Sequence, residues 1–224
     1  IGKDVFSDLT SGTYNIAIGY DAGANITTGE YNTALGRNAL LTNLTGSSNV
    51  AIGFAALKAN TAGENTAIGR QALMSNTSGA SNQAIGYQSM YTNTTGINNN
   101  AQGYGTLKYN TTGANNVAVG HNASNTNTTG FDNIAIGSLA LLLNTTGQYN
   151  VALGKSALQA NTTGQQNTAV GKSALSLNTT ANFNTAVGYN ALNSTTGPNN
   201  TALGYKAGYG TTTHSNNVFI GHSS

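Results

Sequence analysis

Asn161–Leu177 reads NTTGQQNTAVGKSALSL, and the same unit recurs along the chain as N-T-T-G-x-x-N-[TV]-A-[ILV]-G-x-x-A-L-x-x. The glycine that ends its Ala-Val-Gly triplet serves as a ruler. Gly19, Gly36, Gly53, Gly69, Gly86, Gly103, Gly120, Gly137, Gly154, Gly171, Gly188, Gly204 and Gly221 stand 17 residues apart, with two steps of 16. Four residues before each ruler glycine stands an asparagine in all thirteen registers: Asn15, Asn32, Asn49, Asn65, Asn82, Asn99, Asn116, Asn133, Asn150, Asn167, Asn184, Asn200 and Asn217. Two before it stands alanine in twelve of the thirteen, Phe219 being the exception. Like residues at a fixed period mean like environments repeated along an axis.

Each unit converts into backbone by its local chemistry. The N-T-A-I-G stretch alternates and carries β-branched residues, as at Ile16 and Ile18 or Ile134 and Ile136, which predicts a strand of about five residues. Asn-Thr-Thr-Gly predicts a turn, with glycine supplying a positive φ and the Asn and Thr side chains bonding to local backbone. The x-x-A-L-x-x segment, as around Leu158 or Leu175, is compatible with a strand or with one helical turn. Seventeen residues are too few for two helices and their loops, whereas two short segments and two turns fit one rung of a parallel β-solenoid. The expected organisation is an opening segment or partial rung over 1–11 and a continuous all-β solenoid over 12–224, starting within a longer fibre.

Stacking accounts for the composition. With rungs about 4.8 Å apart, like charges would pile into columns and repel, so neutral residues are favoured. Charged residues make up 6% of the chain, and eight Lys and Arg against six Asp and Glu leave a net +2. Such a surface offers little field for nucleic acid, and no apolar run approaches the length of a membrane span. Cysteine is absent, which removes disulfide scaffolds and thiolate metal sites. The asparagine column is a candidate amide ladder that fixes register and satisfies buried polar groups.

Alternation places the Ile, Leu or Val before the ruler glycine on one strand face with the Thr, Val or Ile two earlier, and Asn, Ala and Gly on the other. Leucine or methionine recurs four residues after the ruler glycine at Leu40, Leu57, Leu73, Met90, Leu107, Leu141, Leu158, Leu175 and Leu192, one core plug per rung. A thin coil buries one face only, so the small-residue face is expected to pack against identical chains around an axis, in a homotrimer.

Units such as NTAVGYNAL and NVALGKSAL resemble the head repeats of trimeric autotransporter adhesins and, more closely, the repeats of bacteriophage tail fibres. The resemblance runs from about Gly12 to Gly221 and rests on thirteen copies. It implies a rigid extracellular trimeric fibre used in adhesion or receptor binding, without catalysis in the repeats. The rung of 17 is longer than that of adhesin heads, and the neck, coiled-coil stalk, membrane anchor and self-cleaving chaperone domain of such families do not occur in this stretch.

An enzyme needs converging titratable groups. The carboxylates Asp4, Asp8, Asp21, Glu30, Glu64 and Asp132 form no column, and His121, His214 and His222 are scattered, so neither catalysis nor a metal or other cofactor is expected. The position after the ruler glycine is more informative, with Tyr20, Arg37, Phe54, Arg70, Tyr87, Tyr104, His121, Ser138, Lys155, Lys172, Tyr189, Tyr205 and His222. An outward stripe of aromatic and basic groups would contact glycans, or simply cover the turn and aid solubility. Asn25, Asn43, Asn76, Asn93, Asn110, Asn127, Asn144, Asn161, Asn178 and Asn193 each satisfy N-x-Ser/Thr, an acceptor pattern in a glycosylating host and turn chemistry otherwise. The paired threonines also raise ice binding, although two adjacent turn residues do not both face outward from a flat strand. The sequence thus predicts an extracellular fibre segment on a cell surface or virion, whose partners are its own copies and a surface glycan or protein receptor. The alternative is a solenoid whose own surface binds glycan or ice.

Overall fold

A computed structural model describes residues 2–224 as an all-β chain of short parallel strands wound as a β-solenoid. The chain divides into two compact units, Ile1–Ala114 and Asn115–Ser224. The first carries β1 (Ile16–Ile18), β2 (Thr33–Leu35), β3 (Val50–Ile52), β4 (Thr66–Ile68), β5 (Gln83–Ile85) and β6 (Asn100–Gln102). The second carries β7 (Val117–Val119), β8 (Ile134–Ile136), β9 (Val151–Leu153), β10 (Thr168–Val170), β11 (Thr185–Val187), β12 (Thr201–Leu203) and β13 (Val218–Ile220). Within each unit successive strands pair in parallel with like on like: Ala17 lies opposite Ala34, Ala152 opposite Ala169. The chain therefore completes one lap per repeat.

The strands are three residues long, shorter than expected, and backbone conformation bounds them. The residue five before each ruler glycine is left-handed, as at Tyr31 (φ 56) and Tyr149 (φ 58), and the ruler glycine itself lies near φ +130, as at Gly36 and Gly154 (both 134). The second segment is neither strand nor helix. It is two tight turns: Ala39 N–H donates to the Gly36 carbonyl (3.2 Å) and Asn43 N–H to that of Leu40 (3.4 Å). Left-handed residues alternate through it, with Asn38 at φ 60 and Leu40 at φ 51. This alternation turns successive amides towards opposite neighbours. Asn38 N–H reaches the Tyr20 carbonyl one rung back (2.9 Å), and Leu40 N–H reaches Ala56 one rung forward (3.1 Å). Non-glycine residues pay about 1–2 kcal/mol for left-handed geometry. Here each such cost is met by an inter-rung bond and, at the plug, by burial of a whole leucine side chain.

The nine plug residues are fully buried, and the strand alanines are buried with them. The small-residue face thus lines the coil's own interior, which corrects the expectation that it packs against other chains. A loop this narrow cannot hold two rows of β-branched side chains opposite a leucine, so alanine takes the inside and the branched residues turn outward. Ile16, Ile18, Ile134, Ile136 and Leu153 are all exposed.

The opening residues already follow the coil. Asp21 N–H donates to the Lys3 carbonyl and Asp8 N–H to that of Ala24 (3.1 and 3.0 Å), and Phe6 takes the plug position at φ 52. In the next rung that position is Gly23, where a Cβ would stand 3.0 Å from the Phe6 ring. The second unit repeats the device in reverse order. Gly208 replaces the plug, and Phe219, in place of the strand alanine, fills the space within 2.9 Å of where a Cβ would be. Large-for-small exchanges between adjacent rungs keep the interior filled.

Candidate functional surface

Two asparagine ladders run through each unit. In the first, the main-chain N–H of each asparagine donates to the side-chain oxygen of the one before it: Asn32 to Asn15 (2.9 Å), Asn49 to Asn32 (3.0 Å), Asn150 to Asn133 (3.0 Å), Asn217 to Asn200 (3.2 Å). At several junctions the side-chain amide donates to the same oxygen, as from Asn49 to Asn32 (3.0 Å) and Asn133 to Asn116 (3.1 Å). Asn65, Asn82, Asn99, Asn167, Asn184 and Asn200 take corresponding places.

The second ladder is built from the asparagine of the Asn-Thr-Thr-Gly turn, expected from the sequence to bond to local backbone or to accept a glycan. Asn76 Nδ2 donates to Asn60 Oδ1, Asn93 to Asn76 and Asn110 to Asn93, each at 2.7 Å. Asn144, Asn161 and Asn178 continue the pattern in the second unit at 2.8–3.0 Å. Its signal was present in the sequence, since Asn43, Asn60, Asn76 and Asn93 keep the ruler's own spacing.

Where both asparagines are present, the two ladders meet on one carbonyl per rung. Gly46 O accepts from Asn32 (2.9 Å) and Asn43 (2.7 Å), and Gly147 O from Asn133 (2.9 Å) and Asn144 (3.0 Å). This arrangement explains the turn glycine differently from the expectation. Gly46 and Gly147 are not among the positive-φ residues. A Cβ on Gly147 would instead lie 2.5 Å from the Gly164 carbonyl of the next rung. Close approach, not handedness, excludes a side chain there.

Burial also decides the N-x-Ser/Thr pattern. Asn43, Asn76, Asn93, Asn110, Asn127, Asn144, Asn161 and Asn178 are fully buried, whereas Asn25 and Asn193 are half-buried. The first threonine of the turn spends its hydroxyl on the next rung, as Thr77 on the Thr94 carbonyl (2.9 Å) and Thr94 on that of Thr111 (3.0 Å). The second threonine, at Thr95, Thr146 and Thr163, is exposed. These turns therefore do not offer two parallel rows of unbonded threonine hydroxyls.

The file after the ruler glycine lies on the outside in both units, Ser138 alone being half-buried. In the first unit the Arg37 guanidinium lies 5.5 Å from the Tyr20 ring, Arg70 sits 5.7 Å from Phe54 and 5.9 Å from Tyr87, and Tyr87 stacks on Tyr104 at 5.2 Å. In the second, Lys172 lies over Tyr189 (5.5 Å), Tyr189 stacks on Tyr205 (5.4 Å) and Tyr205 on His222 (4.7 Å). Ring faces are therefore turned along the file, and edges, hydroxyls and cations point outward. A second stack, not anticipated from sequence, pairs Tyr14 with Tyr31 at 5.0 Å and 8°.

Among the described residues no cavity and no group of three His, Asp or Glu positioned for a metal occurs. The ion pair Lys3–Asp4, at 3.8 Å, lies on the surface. No helix among them is long and apolar enough to cross a membrane. Compared with family models, curated proteins and solved structures, the chain matches none.

Proposed function

We propose that this chain is a structural segment of an extracellular fibre, assembled as a homotrimer, that spaces or presents elements for receptor binding. The observation that carries this reading is the outward strand face. The recurrent Asn, Ala, Gly and Leu columns are consumed in the coil's interior, and each unit presents outside a row of aliphatic side chains just before the ruler glycine, with Ile18 and Ile68 exposed in the first unit and Ile136, Leu153 and Leu203 in the second. Regular apolar rows of this kind mark association surfaces, and copies of the same chain offer the same spacing. The extracellular setting rests on the resemblance of the repeat. Sedimentation equilibrium tests the assembly: a species of three times 22.7 kDa is expected, and a monomer at micromolar concentration overturns it.

The exposed aromatic and basic file favours a second reading, contact with an anionic glycan through cations and ring edges. A glycan array separates the two, with a thermal-hysteresis assay for ice. Binding there that Lys155→Ala and Lys172→Ala abolish would move the function to the file itself.

A further inference from the structure

The three tyrosine stacks point to a modification site. We propose that Tyr14–Tyr31, Tyr87–Tyr104 and Tyr189–Tyr205 are positions of oxidative tyrosine–tyrosine coupling, which would staple adjacent rungs covalently. The rings of each pair lie 5.0–5.4 Å apart and within 8–13° of parallel. The coil holds them there, because the two Cα atoms of a pair occupy the same position in successive rungs. All six rings are exposed, from Tyr87 at 36% to Tyr14 at 73%, so an external oxidant reaches them.

The chemistry balances with a peroxide and a haem peroxidase as oxidant. Each phenol gives up one electron and its hydroxyl proton, leaving a phenoxyl radical whose unpaired spin is shared with the carbon ortho to oxygen. Two such carbons join in a new C–C bond, the two ring hydrogens leave as protons, and both phenol O–H groups are restored. In sum two hydrogens are lost per pair, and one hydrogen peroxide becomes two waters. Proximity favours the step, since the second radical is already beside the first and needs no diffusional encounter. Rotation about the tyrosine χ1 and χ2 torsions tilts the rings from parallel as the bond forms.

Three of the other five tyrosines are internal controls. Tyr20 faces Arg37 and Tyr149 meets the edge of Phe131, neither of which can couple. Tyr91 has Met74 and Lys108 at the same position of the adjacent rungs. A link between Tyr14 and Tyr31 would close a loop of 18 residues, both tyrosines included, and restrict the unfolded chain as a disulfide does.

The test treats the dilute 224-residue chain with hydrogen peroxide and a haem peroxidase, then reads bityrosine fluorescence and maps linked peptides by mass. Three intrachain links are expected, each with the loss of two hydrogens. Tyr31→Phe, Tyr104→Phe and Tyr205→Phe should each remove one link and leave the others, and the same treatment in strong urea should scatter links over other tyrosines. The proposal is overturned if the folded chain gives no link at a peroxide dose that couples N-acetyltyrosine amide. It is equally overturned if the folded and urea-treated chains give the same link pattern.

Discussion

The second asparagine ladder stops at Asn178, and Thr195→Asn should extend it. Asn178 Oδ1 is buried and has no hydrogen-bond partner. The donor would come from the next rung, where Thr195 takes the asparagine position and sends its hydroxyl to the Thr211 carbonyl instead (3.0 Å). The rung is one of the two with 16 residues, and the other keeps its asparagine: Asn60 bonds to the Ala62 carbonyl (2.7 Å) and receives Asn76 on its oxygen (2.7 Å). The shorter loop therefore accommodates the side chain. Satisfying a buried orphan acceptor is worth about 1–3 kcal/mol, and losing the threonine bond costs about 1, so a net gain of about 1 kcal/mol is expected. Repeat arrays do not unfold as a single two-state unit, so the readout is hydrogen exchange of the amides around Asn178 and Thr196, where protection should rise about fivefold. Asn161→Thr, which breaks the ladder in mid-course and strips partners from Asn144 and Asn178, should cost about 3 kcal/mol by the same accounting. Unchanged or reduced protection in Thr195→Asn, with Asn161→Thr equally silent, would refute the claim that the amide ladder contributes to stability.

Leu158→Ala, at a fully buried plug, should cost about 2–5 kcal/mol, read by hydrogen exchange of the surrounding amides; a loss below about half a kcal/mol would tell against its burial. Gly154→Ala places a Cβ 2.7 Å from the Gly171 backbone at φ 134, and a cost above about 3 kcal/mol is expected from clash and strain together, read as loss of the thermal transition. Ser173→Gly relieves a left-handed serine (φ 57) and should stabilise by about 0.5–1 kcal/mol, read as raised amide protection in its rung, the relief of left-handed strain exceeding glycine's entropy cost. The folded chain offered to an N-glycosylating enzyme should stay unmodified at Asn93 and Asn144, both fully buried, while unfolded peptides covering them are modified; modification of the folded chain would contradict the second ladder.

The period, the lap per repeat and the parallel register were legible in the sequence because they are translational facts. A column of asparagine at a spacing of 17 can arise only if each copy meets its neighbour, and the plug leucines announced their burial by recurring in phase with it. Which way each column points is a different kind of fact. Ala34 faces inward and Leu35 outward, and Asn43 is interior beside an exposed Thr45, because of left-handed residues such as Asn38, Leu40 and Tyr31. Tyrosine and leucine carry no propensity for that conformation, so no local rule reads it from them; inter-rung hydrogen bonds and close packing impose it once the coil has closed. The sequence by itself thus determined the stacking of rungs. The tertiary structure decided inside from outside, since a backbone handedness that disfavours the individual residue becomes stable only when the rungs above and below supply its bonds.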